Sequence, residues 1–277
     1  MPADRNFIPA KSVHFCGGKG AMKFSPTWQR IPAHKMRDIH LPGEFPLLLA
    51  YCCFYILLSG VTAQLILHWP QPLFGSPDFL LDLWYFLFFK ITFLLVLPAI
   101  AFWRLGYATS DLFPGGVTAR DYLGAACAYA IGFGINLQHW AGIREQVHSA
   151  GDGAAWLRIA AALLIALFNA GIPEEFVFRG WLQTRLEQRV GRIVAILGTA
   201  LLFTAWHIPS RYFLAFGKEG NAGSLPSVLL HTGLPVLVVA SVLGLLWDRY
   251  RRLLPLIGLH WGIDSLPLIS AALGLQR

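Results

Sequence analysis

The 277-residue chain is 56% hydrophobic and only 13% charged, with a mean hydropathy of +0.54. Soluble domains carry about 25% charged residues, so this composition excludes an ordinary soluble protein and points to a multispanning membrane protein. The net charge of +7 does not signal nucleic acid, because the basic residues lie at the ends of apolar segments, where they set topology and meet anionic lipid.

Residues 1–44 read as a basic cytoplasmic tail, rich in Pro, Gly and His and without a helical or strand period. It is expected to be retained, since the first long apolar run begins near Pro46 and a signal peptide places its apolar core closer to the N-terminus. Residues 45–277 read as one all-α polytopic membrane helical bundle of about seven to eight transmembrane helices. Seven segments approach the span length of about 20 apolar residues: Pro46–Leu67, Phe79–Trp103, Tyr122–Leu137, Trp156–Leu186, Ile193–Pro209, Val228–Trp247 and Leu253–Leu273. Turn chemistry such as "HWPQPLFGSPD" and "FPGGVTARD" separates them. The loop 210–226 is a candidate for an extra interfacial helix or an eighth span. The cysteines (Cys16, Cys52, Cys53, Cys127) have the spacing of neither a disulfide framework nor a metal knuckle. The tryptophans read mostly as interfacial belts.

With the N-terminus inside, fifteen of the 22 Lys and Arg fall on the inner side and four on the outer. That bias predicts an N-in, C-out protein of the inner membrane. Lys90, in "FLFFKITFLL", is expected to snorkel or to pair within the bundle, with Asp82 too far along the same helix to be a secure partner.

Three spans carry ionisable residues where insertion costs about 2.5 to 3.5 kcal/mol each. They are "PEEFVFR" (Pro173–Arg179), "FTAWH" (Phe203–His207) and "HWGID" (His260–Asp264). Pro173 reads as the first residue of a new helical stretch after a bend at "NAG". Glu175 and Arg179, four apart, can neutralise each other, which leaves Glu174 about 100° away for chemistry. His260 and Asp264 share the same spacing, so the carboxylate can orient the imidazole. Counted at 1.5 Å per residue from the basic helix ends, Glu174, His207 and His260 lie roughly 16, 22 and 12 Å deep, a range that brings one shared cavity within reach. A carboxylate and two histidines there can activate water and stabilise an oxyanion, or hold a metal with an open position. His231, in "LLHTGLP", has no such company and reads as a packing or polar-contact residue.

These residues resemble the CAAX prenyl protease and bacteriocin-processing family of intramembrane endopeptidases, and are similar to the type II CAAX prenyl proteases. The family's signatures E-E-x-x-x-R, F-x-x-x-H and H-x-x-x-N stand here as Glu174, Glu175, Arg179; Phe203, His207; and His260, Asp264. The likeness covers about residues 157–273. It implies that Glu174 and His207 activate the water, that His260 and residue 264 support the oxyanion, and that Glu175 and Arg179 structure the site. It also implies either no cofactor or one divalent metal such as zinc, held by Glu174, His207 and His260. Asp264 departs from the family's Asn, and an ionised carboxylate cannot donate to an oxyanion. Asp264 is therefore expected to orient His260.

The expected activity is hydrolysis of a peptide bond in a membrane-associated peptide or protein, with membrane lipid as the other partner, no nucleic acid, and a cavity opening toward the inner leaflet. The alternative is a non-catalytic membrane protein of the same fold that acts as a partner-binding or peptide-immunity factor. A transporter or proton relay is the third reading, opposed by the absence of an inverted repeat in the sequence.

Overall fold

The computed structural model describes residues 43–68, 85–114, 116–150, 153–215 and 217–275. The tail at 1–42, Asp82 and the turn at 69–78 lie outside them. Eight helices, with no strand among the described residues, build the bundle. They are α1 (Glu44–His68), α2 (π-type turns Tyr85–Val96 continuing as Leu97–Arg104), α3 (Ala119–Ile135) and α4 (Trp140–Ala150). Then come α5 (Gly153–Ile165, running on to Val190), α6 (Arg192–Leu214), α7 (Leu225–Val228, running on to Tyr250) and α8 (Leu253–Ala272).

Five stretches are long and apolar enough to cross a membrane: Glu44–Leu65, Ala155–Val190, Arg192–Leu214, Leu225–Tyr250 and Leu253–Ala272. The other two segments singled out by the sequence fall on α2 and on α3, which at 17 residues is at the short end of spanning length. All-α polytopic architecture is what the apolar periodless runs dictate, because inside lipid a helix satisfies every backbone group internally. Leu57, Leu157 and Ile193, each at least 70% exposed, face outward as lipid-facing residues do.

No extra helix stands in the loop 210–226: among its described residues α6 runs on to Leu214, a 3-10 turn occupies Gly217–Glu219, and α7 begins at Leu225. The extra short helix is α4, between the third and fourth sequence segments, at 11 residues too short to span. Nor does the chain bend into a new helix at Pro173. Asn169–Gly171 lies in π-type turns inside one long helix, and the wider turn accommodates a proline that has no N–H to give.

Two devices set the height of α8, the helix that carries His260. First, α3 and α8 share the most extensive helix contact, made through glycine: a Cβ on Gly258 would sit 2.3 Å from the Ala125 carbonyl oxygen, and one on Gly262 2.2 Å from that of Tyr129. Second, Pro267 leaves the Ile263 carbonyl without its intrahelical donor, and Asn136 Nδ2 at the end of α3 donates to that oxygen at 2.7 Å.

At the basic ends of α5, α6 and α7 a polar clamp, partly buried, closes the bundle. Arg192 pairs with Asp248 at 2.7 Å, Arg251 with Glu187, Gln183 donates to the Gly244 carbonyl at 2.8 Å, and Trp247 donates to Thr184. Trp181, Trp206 and Trp247 are buried within the bundle, so these three are core residues and not belt residues.

Candidate active site

Glu174 and Glu175 stand at the middle of α5, where the π-type turns of Glu175–Gln183 begin. Both are buried, as are Arg179 and His260. His207 projects from α6, and His260 with Asp264 from α8. The three motifs converge: Glu174, His207, His260 and Asp264 all line one cavity of about 270 Å³.

His260 is held at Nδ1 and has two looser carboxylate neighbours at Nε2. Nδ1 lies 2.7 Å from Glu175 Oε1. Nε2 lies 3.5 Å from Glu174 Oε2 and 3.6 Å from Asp264 Oδ2. The residue that orients the imidazole is therefore Glu175. Asp264, expected in that role from its helical spacing, is beyond hydrogen-bond distance and a third exposed. Glu175 also faces Arg179, with Nη1 at 3.3 Å from the same oxygen, as the i, i+4 spacing predicts. Arg179 further donates to the Ala240 carbonyl at 3.2 Å and lies over the Phe203 ring. His207 engages the Phe203 carbonyl through Nδ1 at 2.7 Å, which fixes the ring against its own helix and leaves Nε2 as the nitrogen not engaged there.

Glu174 is not the unpaired carboxylate that the sequence suggests. Lys90 Nζ, from α2, donates to its Oε1 at 2.7 Å. Its Oε2 has no hydrogen-bond partner among the described residues and lies 3.5 Å from His260 Nε2. The sequence gives no signal for this pair, because 84 residues separate the partners. Lys90 stands alone in an apolar run, and only its cost inside a membrane marks it out. His231 is likewise at the cavity wall, its Nδ1 turned back to the Ser227 carbonyl at 2.9 Å.

Among the described residues no three His, Cys, Asp or Glu side chains come together as a metal site, and the Lys90 ammonium already pairs with Glu174 Oε1.

The cavity runs from Glu174 and His260 toward Arg211, Glu219, Thr232, Pro267 and Ala271. These positions lie at the end of the bundle opposite the arginine-rich clamp. The expected opening toward the basic side is thereby corrected: helix rise gives the depth of a residue, whereas the clamp at Arg192, Asp248 and Arg251 closes that end.

Residues 156–266 match the model of one protein family, type II CAAX prenyl endopeptidase Rce1-like. This segment, less than half of the chain, is similar to that family. It contains every carboxylate, histidine and arginine of the three motifs and leaves out α1 to α4. No curated protein and no solved structure matches the chain.

Proposed function

We propose that the protein is an intramembrane endopeptidase that hydrolyses a peptide bond in a membrane-associated peptide or protein, with Glu174 as the general base. The observation that carries this is Glu174 Oε2, without a hydrogen-bond partner among the described residues, on a side chain that lines the cavity together with His260 and His207. A water bound there gives one proton to Glu174, and its oxygen attacks the scissile carbonyl carbon. His207 shares the activation of the water. His260, held by Glu175, faces the oxygen on which negative charge develops. As the tetrahedral intermediate collapses, the C–N bond breaks and the proton on Glu174 passes to the leaving amine. One water is consumed, and a new carboxylate and a new amine result.

This is metal-free chemistry, supported by the Lys90 ammonium on Glu174 and by the lack of a three-ligand cluster among the described residues. The charge bias places the arginine-rich ends inside, with the N-terminus inside an inner membrane, so the cavity opens on the outer side. Membrane lipid and a peptide presented from that side are the expected partners.

A library of membrane-anchored peptide reporters, incubated with the purified protein in lipid and heavy-oxygen water, tests the proposal. Mass spectrometry is expected to find one heavy oxygen in the new carboxylate, with the rate unchanged by a strong chelator. A folded protein that cleaves no reporter supports the partner-binding alternative, and loss of cleavage on chelation supports a metal.

A further inference from the structure

Lys90 lies on α2, outside the segment 156–266 that carries the three motifs. It is 6% exposed within an apolar helix, an expensive place for an ammonium. Its Nζ has an anion on one side, Glu174 Oε1 at 2.7 Å, and an aromatic face on another, the Trp206 ring centroid at 4.8 Å. Trp206 is in turn wedged against Tyr55 of α1 and stacked on Phe178 of α5. The ammonium is thus held by groups from two other helices, α5 and α6.

A purely structural ion pair would be sealed away from any cavity. Here both Lys90 and Glu174 line the cavity, together with His207 and His260. One oxygen of the carboxylate is anchored and the other has no hydrogen-bond partner among the described residues. General-base catalysis requires that arrangement, since a glutamate side chain with free rotamers spends much of its time aimed elsewhere.

Resting on the proposed role of Glu174, we propose that Lys90 is a positioning residue: its ammonium anchors Glu174 Oε1 on the cavity wall so that Oε2 meets the reacting water. The chain outside the matched segment thereby completes the site. An arginine, with a different donor geometry, keeps the charge and part of the function.

The test uses the full chain in lipid and a reporter that the wild type cleaves, with thermal melts alongside. Lys90→Met is expected to lose about 100-fold in kcat with KM changed by less than about threefold. Lys90→Arg is expected to recover at least about tenfold of that loss, and propylammonium to restore Lys90→Ala saturably while leaving Glu174→Gln inactive. Lys90→Met with a kcat within about threefold of wild type, or a loss confined to KM, overturns the proposal. Where Lys90→Met does not fold, Lys90→Arg and the amine-treated Lys90→Ala decide, and recovery by neither overturns it. Absence of cleavage by the wild type sinks the peptidase reading itself, whereas an active wild type beside an active Lys90→Met sinks only the positioning role.

Discussion

At the residue scale, His260 draws its orientation from Glu175 at 2.7 Å, with Asp264 a looser neighbour at 3.6 Å. Glu175→Gln weakens the acceptor for both His260 and Arg179. It is expected to lower the cleavage rate at least about tenfold, since supporting partners of a catalytic histidine carry effects of that size. Asp264→Asn is expected to stay within about threefold, and steady-state rates of the two variants check the order. The motif residues were legible because i, i+4 spacing fixes which side chains share a helix face. Their ranking was not. Helical spacing puts Asp264 near His260, but the competing contact comes from α5, 85 residues away.

At the element scale, α3 and α8 touch backbone to backbone, so the site tolerates no added bulk there. Gly262→Ala would drive a Cβ to 2.2 Å from the Tyr129 carbonyl. The resulting overpacking is expected to cost about 1–3 kcal/mol and to lower activity with it by lifting His260 out of place. Gly134→Ala on the same α3 has nothing within 4 Å of its Cβ, so its melting temperature in lipid should match or exceed wild type. Asn136→Ala strips the half-buried Ile263 carbonyl of its donor and is expected to cost about 0.5–1.5 kcal/mol, the usual net worth of one hydrogen bond. The helices themselves were legible from hydropathy, since a run of apolar residues inside lipid has one stable form. The continuity of α5 through Pro173 was not. The rule that proline opens a new helix assumes α-type turns, and π-type turns surround this one.

At the scale of the whole molecule, the bundle has a closed end and an open end. Ion pairs of the exposed Arg192 with the buried Asp248 and of the buried Arg251 with Glu187 tie α5, α6 and α7 together at one end. At the other, the cavity reaches Arg211, Glu219 and His231. His231 and Arg249, both exposed and both on α7, therefore report opposite faces of the membrane. In a background with Cys16, Cys52, Cys53 and Cys127 replaced, His231→Cys is expected to react with an impermeant maleimide added outside intact cells, and Arg249→Cys only after permeabilisation. The reverse pattern would invert the orientation, and labelling of both from one side would contradict the spanning of α7. The opening direction was misread from sequence because depth along a helix is a local quantity. Which end is sealed depends on side chains brought together from three helices.

The account stands most directly on Glu174. Turnover of one membrane-anchored peptide by wild type and Glu174→Gln, purified in lipid and shown to melt alike, measures its weight. A loss of about 1,000-fold or more in kcat, in the range expected when a general base is removed, is the predicted result. Cleavage by Glu174→Gln at the wild-type rate would contradict the account, whatever else lines the cavity.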